Sequence, residues 1–402
     1  MPSTNHALNA RHRLSYVRRV AVVGVGLSKF GERWEAGLRD LIVEAGVNAL
    51  KDAGLEGKDI EALYVGTMAA GRLIGQEHIG SLIADWMGLN PLPSTRVEAA
   101  CASGGLAVKE GFMAVASGMY DVVVVGGVEK MTELSTSQVT YALGGAGDQE
   151  WELSLGATFP SLYALMARRH MYEYGTTEEQ MAQVAVKNHK FGVHNPYAQF
   201  RKPVTVEQVL ASKPVAEPLK LLDSSPISDG AAVVVLMELE KAKKLRDELV
   251  EIIGVGHATD SIALHDRSTF TGIRASSIAM EKALRMAKIE RDKIKVAEVH
   301  DCFTIAEIMA IEDLGFFPKG QGGRATEEGE TDLNGKITVN TSGGLKACGH
   351  PVGATGVKQI AEITWQLRGE AEGRQVDTEY GLTHNVGGSG ATAVVHILKR
   401  LR

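Results

Sequence analysis

The sequence predicts an α/β protein made of two similar βαβ-rich halves, with an extra segment inserted into the first. Three observations predict it. Short β-branched runs alternate with stretches of helical spacing, which is the pattern of βαβ units. Leu106–Met119 is apolar almost all round, broken only by Lys109 and Glu110. A helix with so narrow a polar face belongs between layers rather than at a surface. Finally, Val22-Val23-Gly24-Val25-Gly26 recurs as Ile252-Ile253-Gly254-Val255-Gly256. Ala49-Leu50, Ile60 and Val65 likewise recur as Ala283-Leu284, Ile294 and Val299 at one common offset, the mark of an internal duplication.

Taken in order, Val20–Val25 reads as a strand and Leu41–Ala53 as an amphipathic helix. Thr95–Ala99 reads as a strand leading into the apolar helix. Val122–Val125, ending in Gly126-Gly127, has the continuous apolar run of a strand buried on both faces. Residues 132–221, with Pro160, Pro196, Pro203, Pro214, Pro218 and a helix at Glu178–Phe191, form an insertion of the kind that carries specificity. Val296–Val299 is a strand of the second half. The expected division is residues 18–250, insertion included, and residues 251–402.

The composition narrows the function. With 402 residues, 44% hydrophobic and 23% charged, the chain is globular and too long for one core. A net charge of −6 offers no basic field for nucleic acid or an anionic membrane. Three cysteines suit a reducing compartment rather than a disulfide framework. No apolar run is long enough to span a bilayer. The first fifteen residues, with Asn5, Asn9, Arg11 and Arg13, lack the apolar stretch of a signal peptide, so a cytoplasmic enzyme is expected. The 45 glycines imply many tight turns and close backbone approaches.

Cys101 lies between the strand Thr95–Ala99 and the apolar helix, among Ala102, Ser103, Gly104 and Gly105. A thiol there meets the positive end of the helix dipole, which favours the thiolate, while its neighbours leave room for a substrate. The plain alternative is a buried cysteine acting as a small hydrophobe. His300-Asp301-Cys302-Phe303 and His350-Pro351 both follow strands of the second half, where open α/β sheets bind ligands. Histidine is the base a cysteine nucleophile needs near neutral pH, against the plain reading of a hydrogen-bonded turn residue. The other histidines, His170, His189 and His265 among them, are read as surface or structural. His300, Cys302, Cys348 and His350 together offer the two Cys and two His of a zinc site. Their one-residue spacings differ from those of structural zinc pairs, so no metal is expected. Gly24-x-Gly26 is a partial dinucleotide fingerprint, with Lys29 where the third glycine belongs.

These segments together resemble the thiolase superfamily over nearly the whole chain, from Val20 to Leu398. The motifs that carry the resemblance are Glu98-Ala-Ala-Cys101-Ala-Ser-Gly-Gly, Gly126-Gly127-Val128-Glu129 and Ser228-Asp229-Gly230 in the first half. In the second they are His300-Asp-Cys302-Phe, Asn340-Thr-Ser-Gly-Gly, Gly349-His350-Pro351-Val-Gly-Ala-Thr-Gly356 and His384-Asn-Val-Gly-Gly-Ser-Gly390. The resemblance implies a five-layer αβαβα fold with the helix after Cys101 in the central layer. Where the biosynthetic bacterial members carry a C-terminal Cys-x-Gly, this chain reads His384-Asn385-Val386-Gly387-Gly388. His300-Asp-Cys302-Phe replaces the Asn-Glu-Ala-Phe type. Both features are similar to archaeal acetoacetyl-CoA and sterol-carrier-protein-type thiolases. Steroid-cleaving aldolases of similar fold lack the nucleophilic cysteine, so Cys101 points away from them.

The implied reaction is a Claisen condensation of two acetyl-CoA, or its reverse, with a place in the mevalonate pathway. By resemblance Cys101 carries the acyl group, His350 moves its proton, Cys302 removes the α-proton of the second substrate and His300 holds the enolate oxygen. The N–H of Cys101 and one at Gly387 or Gly388 form the other oxyanion hole. CoA thioesters are substrates, and no cofactor or metal is implied. Arg168, Arg169, Lys187, Lys190, Arg201 and Lys202 are candidates for the CoA phosphates, and Cys348 has no role by resemblance. The resemblance further implies a homodimer or tetramer paired near the nucleophile strand. As partners it implies an HMG-CoA synthase and a small zinc-ribbon/OB-fold protein. Two alternatives remain: a degradative thiolase for longer or branched 3-ketoacyl-CoA, and a non-catalytic scaffold in an acyl-CoA complex.

Overall fold

The computed structural model describes residues 17–401. The N-terminal residues read above for a signal peptide lie outside that range. The elements that build the frame are, in chain order, β1 (Val20–Leu27), α1 (Leu38–Ala53), β2 (Ala62–Gly66), β3 (Ser94–Val97), α2 (Ser103–Ala116) and β4 (Val122–Glu129). The inserted segment follows, with α3 (Phe159–Tyr174), α4 (Glu178–Gly192) and a small hairpin of β5 (Pro214–Ala216) and β6 (Leu219–Lys220). Then come β7 (Gly230–Glu238), β8 (Leu249–Thr259), α5 (Arg274–Ala287), β9 (Val296–Glu298), α6 (Thr304–Asp313), β10 (Thr338–Val339), α7 (Gly344–Cys348), α8 (Thr355–Arg368), β11 (Tyr380–Gly387) and β12 (Thr392–Leu401).

Ten strands lie in the order β10-β9-β11-β12-β8-β1-β7-β4-β2-β3. Read outward from the β8/β1 joint, the two sides are the same. β1 and β8 each pair antiparallel with the last strand of their half, β7 and β12. Those strands pair antiparallel with β4 and β11. Two parallel strands complete each side, β2 and β3 against β9 and β10. The duplicated sequence patterns therefore fold into duplicated strand orders.

The recurring Gly-x-Gly explains itself here. Gly24 and Gly26 lie inside β1, not in a nucleotide-binding loop, and a Cβ on either would collide with the Ala49 and Ala45 carbonyls of α1. Gly254 and Gly256 of β8 meet the Ala283 and Ala279 carbonyls of α5 in the same way. Each pair lets an outer helix press onto its strand. Gly126 and Gly127 likewise sit within β4 rather than after it.

α2 and α8 pack on each other and on strands of both halves of the sheet, with α1 on β1 and α5 on β8, so the two halves of the ten-stranded sheet flank a central helical layer and carry outer helices. The apolar helix read from sequence is α2, beginning three residues earlier than expected. Its Ala107, Val108 and Val115 are wholly buried, and Lys109 pairs with Glu110 at 2.7 Å. The N-termini of the two central helices touch, since a Cβ on Gly356 would collide with the Gly105 amide. The inserted segment is more helical than its prolines suggested, because Pro160 falls in the first turn of α3, where its missing N–H costs nothing.

Candidate active site

After β3 the chain turns sharply before α2, and Ala100 adopts a left-handed φ of 52° to make the turn. The Ser103 hydroxyl locks it, donating to the Ala100 carbonyl at 2.6 Å and accepting the Ala99 N–H at 2.9 Å. Cys101 is thereby held at the interior end of α2, 9% exposed. Burial pushes its thiol up to about 12, although the N–H groups of Gly388 and Cys101 itself favour the thiolate. The sequence argument had the helix end winning. A dipole at a helix terminus supplies ~0.3–2 kcal/mol, whereas full burial moves a pKa by up to ~3–5 units. Desolvation wins, and the resting group is a thiol.

The second half brings the histidines and a second thiol. His300 and Cys302 stand between β9 and α6, and His350 between α7 and α8. Donor atoms of Cys101, His300 and His350 all lie within 4.8 Å of one another. The two imidazoles meet edge to face, with centroids 5.1 Å apart. Burial raises the Cys302 thiol, and the nearby Cys101 raises it further. His350 is held neutral, its pKa lowered to about 3 by burial and by Lys358. Burial and the neighbouring His350 also keep His300 neutral, well below the ordinary imidazole range.

Four residues without an assigned role in the sequence reading hold these groups. Thr355 lies 2.7 Å from His350 Nδ1 and donates its hydroxyl to the Pro351 carbonyl at 3.1 Å. With its hydrogen on that carbonyl, the Thr355 oxygen takes the Nδ1–H, which leaves the His350 Nε2 lone pair free. Ser228 Oγ accepts the His350 amide at 3.0 Å. Asn385 touches both halves of the site, with its Nδ2 at 3.0 Å from the Cys101 carbonyl and 3.2 Å from His300 Nδ1. Tyr163 of α3 donates to the Gly388 carbonyl at 3.2 Å, lies tilted against Phe303 with ring centroids 4.9 Å apart, and reaches the Cys302 sulfur. Asn385 and Thr355 stood inside motifs already singled out. Polar side chains flanking a candidate histidine were the available signal.

Residues 20–240 match the model of the thiolase N-terminal domain, and residues 256–400 match the thiolase C-terminal domain-like model. An acetyl-CoA acetyltransferase of Methanothermobacter thermautotrophicus is 58% identical over 96% of this chain and all of its own length. That of Methanocaldococcus jannaschii is 53% identical with the same coverage. The chain belongs to the thiolase family. Human sterol carrier protein 2, a more distant thiolase relative, is 34% identical over 94% of this chain and 71% of its own length. Among solved structures, the Ltp2-ChsH2(DUF35) aldolase superposes with a TM-score of 0.82 at 26% identity, over 95% of this chain and 98% of its own. An acetyl-CoA acetyltransferase from Syntrophomonas wolfei shares the fold at a TM-score of 0.72 and 19% identity, covering 96% and 100%.

Within this thiolase site, the sequence could not choose between Gly387 and Gly388. The amide that reaches the Cys101 sulfur is that of Gly388. The zinc set considered from sequence does not assemble. Cys348 is fully buried, accepts a hydrogen bond from Asn195 Nδ2 at 3.6 Å, and has its thiol pushed up to about 12. Among the described residues the cluster with metal-ligand spacing is Cys101, His300 and His350. Several basic candidates for CoA are already engaged. Lys187 is buried against Glu307 at 2.9 Å, and Lys190, Arg169 and Arg168 pair with Asp332, Glu173 and Glu217. Arg201 donates to the Val193 carbonyl. His170 and His189 are buried and His265 is exposed, so the first two are structural. His170 lies between Thr176 and Glu312.

Proposed function

We propose that the protein is an acetyl-CoA C-acetyltransferase, condensing two acetyl-CoA to acetoacetyl-CoA and CoA and catalysing the reverse thiolysis. The observation that carries this reading is the meeting of Cys101, His300 and His350 within one buried cluster. The 58% identity to an archaeal acetyl-CoA acetyltransferase supports the substrate.

His350 Nε2 takes the Cys101 proton as the sulfur attacks the thioester carbonyl, and returns it to the departing CoA. The oxyanion formed on the way is met by the amides of Cys101 and Gly388. His350, neutral again once CoA has left, takes the Cys302 proton, and the Cys302 thiolate removes an α-proton from the second acetyl-CoA. The enolate, its oxygen held by His300, attacks the acetyl group and releases Cys101. The proton held by His350 passes to the Cys101 sulfur, and Cys302 is left as the thiol. The steps need no resident cofactor or metal, because the thioester activates both carbons. The identity to archaeal acetyl-CoA acetyltransferases favours an acetyl group over longer or branched chains. The four intact groups favour an enzyme over a silent scaffold.

We read the chain as two halves dividing near residue 250. We also infer pairing of two copies along the exposed edge of β3, the strand that leads to Cys101, because pairing would cover a free strand edge. A cytoplasmic, mevalonate-pathway enzyme working beside an HMG-CoA synthase and a zinc-ribbon/OB-fold protein fits the uphill equilibrium of condensation, which product removal would drive.

The test is thiolysis and condensation across acyl chain lengths, together with mass-spectrometric mapping of a trapped acetyl group. Acetyl on Cys101 with preference for acetoacetyl-CoA is expected. Label on Cys302 or Cys348, or a preference for long chains, would overturn the assignment. Light scattering at micromolar concentration decides the pairing, and a monomer would refute it.

A further inference from the structure

The Cys101, His300 and His350 cluster has the composition of a three-ligand metal site with an open fourth position. Whether such a site binds metal depends on which ring nitrogens carry lone pairs. At His350 the Thr355 contact leaves Nε2 free, as a ligand requires. At His300 the answer lies with Asn385.

The Asn385 amide has one orientation that satisfies its surroundings. Its oxygen accepts the Gly105 N–H at 3.1 Å, and its nitrogen donates to the Cys101 carbonyl at 3.0 Å. Turning the amide over would set N–H against N–H at Gly105 and oxygen against oxygen at Cys101. The nitrogen also lies 3.2 Å from His300 Nδ1, so Nδ1 must accept. A proton there, in either the other tautomer or the imidazolium, would face a second donor. The ring hydrogen therefore sits on Nε2, which is buried with no protein partner. A buried unpaired N–H is costly, and it is satisfied when an oxygen anion forms in the pocket.

We propose that Asn385 is a positioning residue that fixes His300 in the Nε2–H form, making the pocket an oxyanion donor and denying a thiophilic divalent cation its second imidazole ligand. Metal-binding histidines show the reverse arrangement, with the far N–H given to a carboxylate or carbonyl. A carboxylate in place of the amide should convert the site. The tautomer follows from these contacts alone, whereas its service to condensation rests on the acyl-transfer reading.

Two experiments on the full-length protein test this. The first is a long-range proton–nitrogen spectrum of the wild type with ring-labelled histidine, the His300 signals being assigned from their absence in His300→Asn. It should show His300 Nδ1 unprotonated and Nε2 protonated. The reverse pattern overturns the proposal without requiring any Asn385 variant to fold. The second adds Co²⁺ to wild type and to Asn385→Asp. The wild type should give no thiolate-to-cobalt charge-transfer band. The variant should gain one that disappears when Cys101 is acetylated beforehand. A Cys101-dependent band of equal strength in the wild type, or none in a variant whose Cys101 still takes up acetyl, refutes it. In Asn385→Ala condensation should fall at least tenfold further than acetyl exchange with CoA. Equal losses would mean that Asn385 only supports the fold. Failure of acetyl trapping on Cys101 in the wild type would instead sink the acyl-transfer reading and leave the tautomer standing.

Discussion

The turn after β3 and the turn after β10 occupy equivalent places in a repeated strand order, each leading toward a central helix. In the first half that place holds Cys101, and in the second the connection runs on through α7 and ends at His350, before α8. The turns after β2 and β9 differ more. After β9 stand His300 and Cys302. After β2 stand Thr67, Met68 and Ala69, which bind the carboxylate of Glu129. Both halves thus bring the ends of their parallel strands to the same central layer. In the proposed mechanism one supplies the acyl carrier and the other the proton chemistry, so duplication would provide the geometry and divergence at the strand ends would separate covalent from acid–base work. Variants on the two sides should accordingly fail in different half-reactions.

Cys101→Ala should show the largest effect. With no thiol to acylate, acetyl trapping and acetoacetyl-CoA formation should both vanish, measured by mass spectrometry and by absorbance. Residual condensation above the uncatalysed background would place the acyl carrier elsewhere.

Cys302→Ala breaks the comparison from the other side. Exchange of acetyl between acetyl-CoA and free CoA should continue, while condensation falls by the ~10²–10⁴ of a lost general base. Condensation at the wild-type rate would remove Cys302 from the reaction.

Much of this division was legible in the chain. Gly24-x-Gly26 and its copy at Gly254-x-Gly256 announced the duplication, and the narrow polar face of α2 announced the central layer. Cys101, His300 and His350 were named from residue type and position after strands, and Cys302 gained its role only through the family resemblance. Their protonation was not legible. The pattern placed Cys101 at a helix end, but only the packed structure shows how little water reaches it. The partners that set the imidazole protons were also hidden, because Asn385 meets His300 across 85 residues and the Cys101 carbonyl across 284. Such long-range contacts leave no local periodicity to read. The basic residues of the insertion could not be sorted from sequence, and folding separates two of them, burying Lys187 against Glu307 while Lys190 pairs with Asp332 at the surface.

Thr355→Val sharpens the role of His350. It leaves the Nδ1–H unpaired, which costs ~1–3 kcal/mol, and releases the ring to place its hydrogen on Nε2, where it cannot act as a base. Acetylation of Cys101 should slow about tenfold. The pH dependence gives a second reading. Because the His350 pKa is lowered to about 3, the neutral base persists as pH falls through the usual imidazole range. Acetylation measured from about pH 8 to about pH 5 should therefore show no loss centred near 6.5, the value of an unperturbed imidazole. A clear titration there in the wild type would mean that water reaches His350 far more freely than this burial allows.

Glu129→Gln should have the smallest effect on chemistry, and it tests whether the first half's buried acid is only structural. The carboxylate accepts from Thr67 Oγ1 at 3.0 Å, Met68 N at 2.8 Å, Ala69 N at 3.1 Å and Gly353 N at 3.1 Å, the last reaching across to the turn that follows His350. An amide keeps one acceptor oxygen and turns its own N–H groups toward the rest of these donors, so at least one buried N–H loses its partner. The expected cost is ~1–3 kcal/mol of stability, visible as a drop in thermal midpoint of several degrees. Cys101 and the groups of the second half keep their places, so acetyl exchange and condensation per folded molecule should both stay within about threefold of wild type, a barrier change under 1 kcal/mol. A fall in condensation alone, with exchange intact, would show that the first half also takes part in the proton chemistry, and the separation of labour between the halves would have to be given up.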